Sequence, residues 1–103
     1  MGFFDQFSDH HNEVSNSGHK AELSHELIAG AASYEAAKAY ENHVAKNGQP
    51  PSHEKAKELL AGFAGAFIDR EVETKGLDYV DREKAKHQAR ENIDRGYEED
   101  YVN

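Results

Sequence analysis

The chain has no cysteine, no tryptophan, one methionine and two prolines among its 103 residues. Without cysteine there is no disulfide framework, thiol nucleophile or zinc ribbon. No apolar run approaches the roughly 18 residues that a membrane span needs, so none is expected. Met1 to Ser8 lack the basic stretch and long apolar core of a secretory signal. The Met1-Gly2 start meets Gln6 where a myristoylation motif wants serine or threonine. Together these absences point to the cytoplasm. Basic clusters are missing too. Twelve Lys+Arg stand against twenty Asp+Glu, a formal charge of −8, and Lys55, Lys57 and Lys84 each neighbour a glutamate. Such a field repels nucleic acid, whose binding leaves a basic patch, so no nucleic-acid partner is expected.

Large apolar side chains are also scarce. Leu, Ile, Val and Phe number eighteen, under the roughly one in five that marks an ordinary globular chain. Ala, Gly and Tyr in periodic positions fill part of the deficit. The chain reads as folded around a thin core, of the kind a second subunit completes, so a homo-oligomer or a protein partner is expected.

What is present is helical periodicity. From about His19 to Lys46, Leu23, Leu27, Ala31, Tyr34, Ala37 and Val44 recur at helical steps. Asn47-Gly48 supplies a left-handed stop, and Pro50-Pro51 cannot continue a helix. Ser52 is a preferred N-cap with Glu54 in the first turn. Ala56, Leu59, Leu60, Phe63, Phe67 and Val72 then form the buried face up to Thr74-Lys75-Gly76. Asp78 is read as the cap of a third helix reaching about Tyr97, with Ala85, Ala89, Ile93, Tyr97 and Tyr101 stepping by four. No stretch alternates with period two, so no sheet is assigned. The expected fold is all-α: a small three-helix bundle, a helical hairpin plus a third helix. Residues 18–103 form its single helical domain and residues 1–17 a flexible, mobile leader. In that leader Phe3, Phe4 and Phe7 can make one apolar helical turn that docks on the bundle. The polar Ser8–Ser17 stretch favours turns over helix.

Glu26–Ala32 (ELIAGAA) and Glu58–Ala64 (ELLAGFA) form a weak repeat. Glycine inside a helix costs about 1 kcal/mol against alanine, so Gly30, Gly62 and Gly65 call for an offset. Close backbone approach at a helix crossing supplies one. A slot for a flat ligand, walled by Tyr34, Phe63 and Phe67, supplies another.

Seven histidines are many for this length. His25, His53 and His87 with Glu83 could build a carboxylate–histidine metal site or a haem cradle between helices. His25-Glu26 opens like H-E-x-x-H, but Ala29 stands where the second histidine belongs. The competing reading is solvated helix faces, with no cofactor required. His10-His11 reads as a tail pair that chelates metals adventitiously. Protonating all seven histidines takes the formal charge from −8 to −1. Any response of association to mild acid is assigned to His25, His53 and His87, not to His10 and His11. For enzymatic chemistry the inventory is poor: Ser24, Ser33 and Ser52 lack an elbow motif, and Gly62–Gly65 lies inside a helix.

Two blocks, Ser24–Glu41 (SHELIAGAASYEAAKAYE) and Ser52–Glu71 (SHEKAKELLAGFAGAFIDRE), continue to Thr74-Lys75-Gly76-Leu77-Asp78. With the Met-Gly-aromatic-Phe-Asp start, they resemble the fungal CipC-like proteins, also labelled antibiotic-response or concanamycin-induced. The resemblance runs from Met1 to about Arg90. It implies a stress-related protein and carries no catalytic or binding residues with it. The functional expectation is a non-enzymatic stress-response protein acting by self-association or protein binding through its small-residue helix faces. The alternative is a small ligand-, haem- or metal-binding module.

Overall fold

The computed structural model describes residues 2–16, 24–78 and 80–102. All the regular structure among these residues is helical, with no strand. The order is a 3-10 turn (Phe3–Phe7), α1 (Ser8–Asn16), α2 (His25–Asn47), α3 (His53–Lys75), α4 (Arg82–Tyr97) and a π turn (Glu98–Val102). The expected three helices are therefore four.

Local chemistry sets the helix ends. The Ser24 hydroxyl accepts from Leu27 N and Gly48 terminates α2 at φ 83°. Ser52 accepts from Lys55 N, and Gly76 ends α3 in the left-handed region at φ 64°. At both glycines an L side chain would be strained. The cap of α4 is Asp81, which accepts from Lys84 N, in place of the expected Asp78. The earlier start of α2 at His19 is corrected by the extended backbone of Ser24. Residues 19–23 lie outside the described residues.

The largest departure is α1. Its polar sequence argues for turns, yet Ser8–Asn16 is a helix with Asp9 in its first turn. Docking outweighs propensity here. Val14 is fully buried, a contribution of about 1.5–3 kcal/mol. Its carbonyl also accepts from Lys75 Nζ at 2.9 Å.

α2 is the hub and packs against α1, α3 and α4. Residues 28–33 are buried consecutively, the mark of a helix covered on every side. Nine of the twenty-one buried apolar residues are alanine; such small contacts let helix axes approach closely. Ser33 is buried among them, donating to Ala29 O at 2.8 Å and accepting from Asn92 Nδ2 at 3.3 Å. On α3 the buried face is Ala56, Leu60, Ala64, Phe67, Ile68 and Val72, while Leu59 and Phe63 are only half-buried at its edge. α4 buries Ala85, Ala89, Ile93 and Tyr97, as its four-residue stepping predicts.

Candidate functional site

The three helix glycines meet different surroundings. A Cβ on Gly30 would lie 3.0 Å from Phe7 Cδ1 and 3.1 Å from His10 Cγ. The close approach is thus between α2 and side chains of the N-terminal segment, which occupy the space that a flat ligand would need. A Cβ on Gly62 would meet nothing within 4 Å, and one on Gly65 only Lys86 methylenes at 3.8 and 3.9 Å. Among the described residues no helix crosses at Gly62.

Tyr34, Phe63 and Phe67 do not share a wall. Phe67 is buried under Arg70, whose guanidinium lies 5.2 Å from the ring centroid. The His11 ring stands between Tyr34 and Phe67 at centroid distances of 5.2 and 5.7 Å. Phe63 faces His43 instead, at 6.2 Å.

The proposed metal or haem residues are likewise dispersed. His25 Nε2 accepts from Asp81 N at 2.9 Å, tying α2 to the start of α4. The His53 ring packs edge-on to Tyr97 at 5.5 Å. His87 pairs with Glu91 on its own helix at 3.3 Å, and Glu83 is exposed. Among the described residues no three His, Asp or Glu side chains are grouped to hold a metal ion, so these four do not form a ligand set.

Two features escaped the sequence reading. The first joins the chain ends. Asp100 accepts from Phe3 N through Oδ1 at 2.7 Å and from Phe4 N through Oδ2 at 3.3 Å. It thereby satisfies amides at the start of the 3-10 turn that have no partner within it. Gly2 and Gly96 make this possible: a Cβ would come within 2.5 Å of Asp100 at the first and 2.6 Å of Phe4 at the second. Beside this contact, Tyr101 donates to Glu41 at 3.2 Å. Burial, and then the Glu41 charge, push the Tyr101 hydroxyl well above the usual phenol range; burial and Tyr97 push Tyr40 the same way. A cleft of about 470 Å³ opens here between Tyr34 and Tyr101. Three of its four carboxylates already serve the chain: Asp5 accepts from Gly2 N, Glu41 from Tyr101, Asp100 from the backbone. One signal was available, since Gly96 is a fourth helix-interior glycine.

The second feature is the outer surface of α3. Ala61, Gly62 and Gly65 floor a groove of about 540 Å³ between α3 and α4. The helices run antiparallel there, because Asp69 pairs with Lys86 while Lys57 pairs with Glu98. Lys86 and Arg90 therefore line the Gly65 end. Glu54, Glu58 and Asp94, with Lys57, line the other. Arg90, Glu54 and Asp94 make no ion pair among the described residues. Asp69, at the margin, feels burial that would raise its carboxyl, but bonds from Lys86 and Arg82 at 3.1 Å hold it below the usual carboxylate range.

No helix among the described residues is long and apolar enough to cross a membrane. A family model described as "Virulence factor CipC-like" matches residues 10–100. No curated protein and no solved structure matches the chain.

Proposed function

Given that the chain belongs to the CipC-like virulence-factor family, we propose that it is a non-enzymatic stress- or virulence-related protein that works by self-association. Two copies dock through the outer face of α3. The observation that carries this reading is Gly62. It stands in the interior of a 23-residue helix with open space where its Cβ would be. None of the described residues uses the close approach that a helix glycine permits, and a second helix would.

Charge favours a second copy of the same chain as the occupant. The groove is basic at the Lys86/Arg90 end and acidic at the Glu54/Asp94 end. A two-fold axis across α3 sets the basic end of each copy against the acidic end of the other, the self-complementary arrangement that an isologous dimer requires.

Light scattering tests the reading directly. The wild type should show twice its 11.5 kDa mass at micromolar concentration. Arg90→Glu should give monomers, and adding Glu54→Arg should restore dimers. A wild-type chain that stays monomeric, or dimers indifferent to both changes, would remove the proposal.

A further inference from the structure

We infer that the two chain ends form one latch: Phe3–Phe7 and Glu98–Val102 open and close together over α2, while α2, α3 and α4 stay packed. The inference is independent of whether α3 docks a second copy.

Neither end holds itself in place. Phe4 is the one buried residue of the N-terminal turn, and the C-terminal turn has no buried residue. Fully buried large side chains such as Ile28, Leu60, Phe67 and Ile93 lie on α2, α3 and α4. Segments with so little buried apolar surface open at a fraction of the global unfolding free energy.

What each end does have is the other. The Asp100 carboxylate receives Phe3 N and Phe4 N, charge-assisted bonds on amides that the 3-10 turn leaves unpaired. Phe4 fills the hollow at Gly96, in the last turn of α4. Its ring lies 6.2 Å from that of Tyr101, within a line of rings running from Phe7 through Phe3, Phe4 and Tyr101 to Tyr40. These shared contacts make the opening cooperative. Departure of the N-terminal turn alone empties the Gly96 hollow and strips Asp100 of both donors. Departure of the C-terminal turn alone orphans two amides and takes the Tyr101 ring from Phe4. Once either end has gone, the contacts that held the other are already lost, so the second departure costs little.

The latch is tied to the bundle by Tyr101 on Glu41 at 3.2 Å, by Glu98 on Lys57 at 3.3 Å and by Phe7 against Gly30. Glu98 is exposed, so its pair adds little. Closed, the latch seals one side of α2. The Tyr101 ring stands 5.4 Å from that of Tyr40, which is 3% exposed, and Ala37 lies one turn away, also buried. Opening takes Tyr101 from Tyr40 and bares the side of the hub helix that carries both residues.

Hydrogen exchange of the full chain, read by NMR in sub-denaturing urea, tests this. Amides of Phe3–Phe7 and of Glu98–Val102 should share one opening free energy and one urea slope, both below those of the slowest amides of α2, α3 and α4. The decisive reading is transfer from one end to the other. Tyr101→Phe keeps the ring and removes the bond to Glu41, yet should speed exchange across Phe3–Phe7 about fivefold, the effect of losing one hydrogen bond. Phe4→Leu, which underfills the Gly96 hollow, should speed exchange across Glu98–Val102 by about as much or more. Two different opening energies in the wild type overturn the inference, as does a shared energy equal to that of the core. A variant whose effect stays at its own end overturns it as well. Should Phe4→Leu fail to fold, the wild type and Tyr101→Phe still decide.

Discussion

Gly30 and Gly62 hold the same place in near-identical stretches, Leu27–Ala32 and Leu59–Ala64, and their surroundings are opposite. Gly30 is buried beneath Phe7 and His10; Gly62 is exposed with no neighbour in reach of a Cβ. The helices that carry them are both 23 residues long. What separates them is rank in the bundle. α2 is enclosed by three helices and the N-terminal segment, whereas α3 turns one face outward. The same local sequence thus makes an internal fit in one helix and an outward-facing floor in the other. A helix glycine says that something needs room, and the tertiary arrangement says what.

Substitution at the sealed member of the pair should have the largest effect. Gly30→Leu drives volume into Phe7 and His10 and should destabilise by about 2 kcal/mol after the gain in helix propensity, read from urea unfolding. An unchanged midpoint would erase the distinction between the two glycines. Next comes the hydrogen bond beside the Asp100 contact. Tyr101→Phe removes the bond to Glu41 and should cost about 1 kcal/mol at neutral pH. Its pH dependence has a definite sign. A hydroxyl whose folded pKa lies above the unfolded value contributes fully below about pH 10 and is lost as pH rises beyond it. The unfolding midpoint should therefore fall above about pH 10 in the wild type and fall less in Tyr101→Phe, where Tyr40 still contributes. The smallest effect belongs to the bare member and has the opposite sign. Gly62→Ala should stabilise the monomer by about 0.5–1 kcal/mol, because only helix propensity changes. A loss of stability there would mean that Gly62 is packed after all.

How much of this was readable in the amino-acid order depends on the reach of each interaction. Ser52 and Gly76 were legible because a cap is settled within four residues. The Ala85–Ala89–Ile93–Tyr97 stripe was legible because one helix repeats it. α1 was not, because Val14 is the one buried side chain described in it and the partners that hold it, such as Lys75 of α3, lie far along the chain. Asp81 was mistaken for Asp78 because both are plausible caps and only the fold places His25 against Asp81 N. His11 and His10 carried no local sign of burial. The contact of Asp100 with Phe3 spans 97 positions, beyond any periodicity. Yet the Met-Gly-aromatic-Phe-Asp opening acquires a physical reason from it: Gly2 leaves room for Asp100, Phe4 fills the hollow at Gly96, and Asp5 receives the Gly2 amide.

That contact also bears on the order of events in folding. Tying Phe3 to Asp100 closes a ring containing nearly the whole chain. Each doubling of ring size adds about 0.6 kcal/mol of closure entropy, so the ring is poorly rewarded until the helices between its ends have assembled. Contacts that form after the rate-limiting step leave the folding rate almost untouched and are felt when the protein comes apart. The junction of the two chain ends is in that sense a brake on unfolding, set after the bundle is built and released before it is lost.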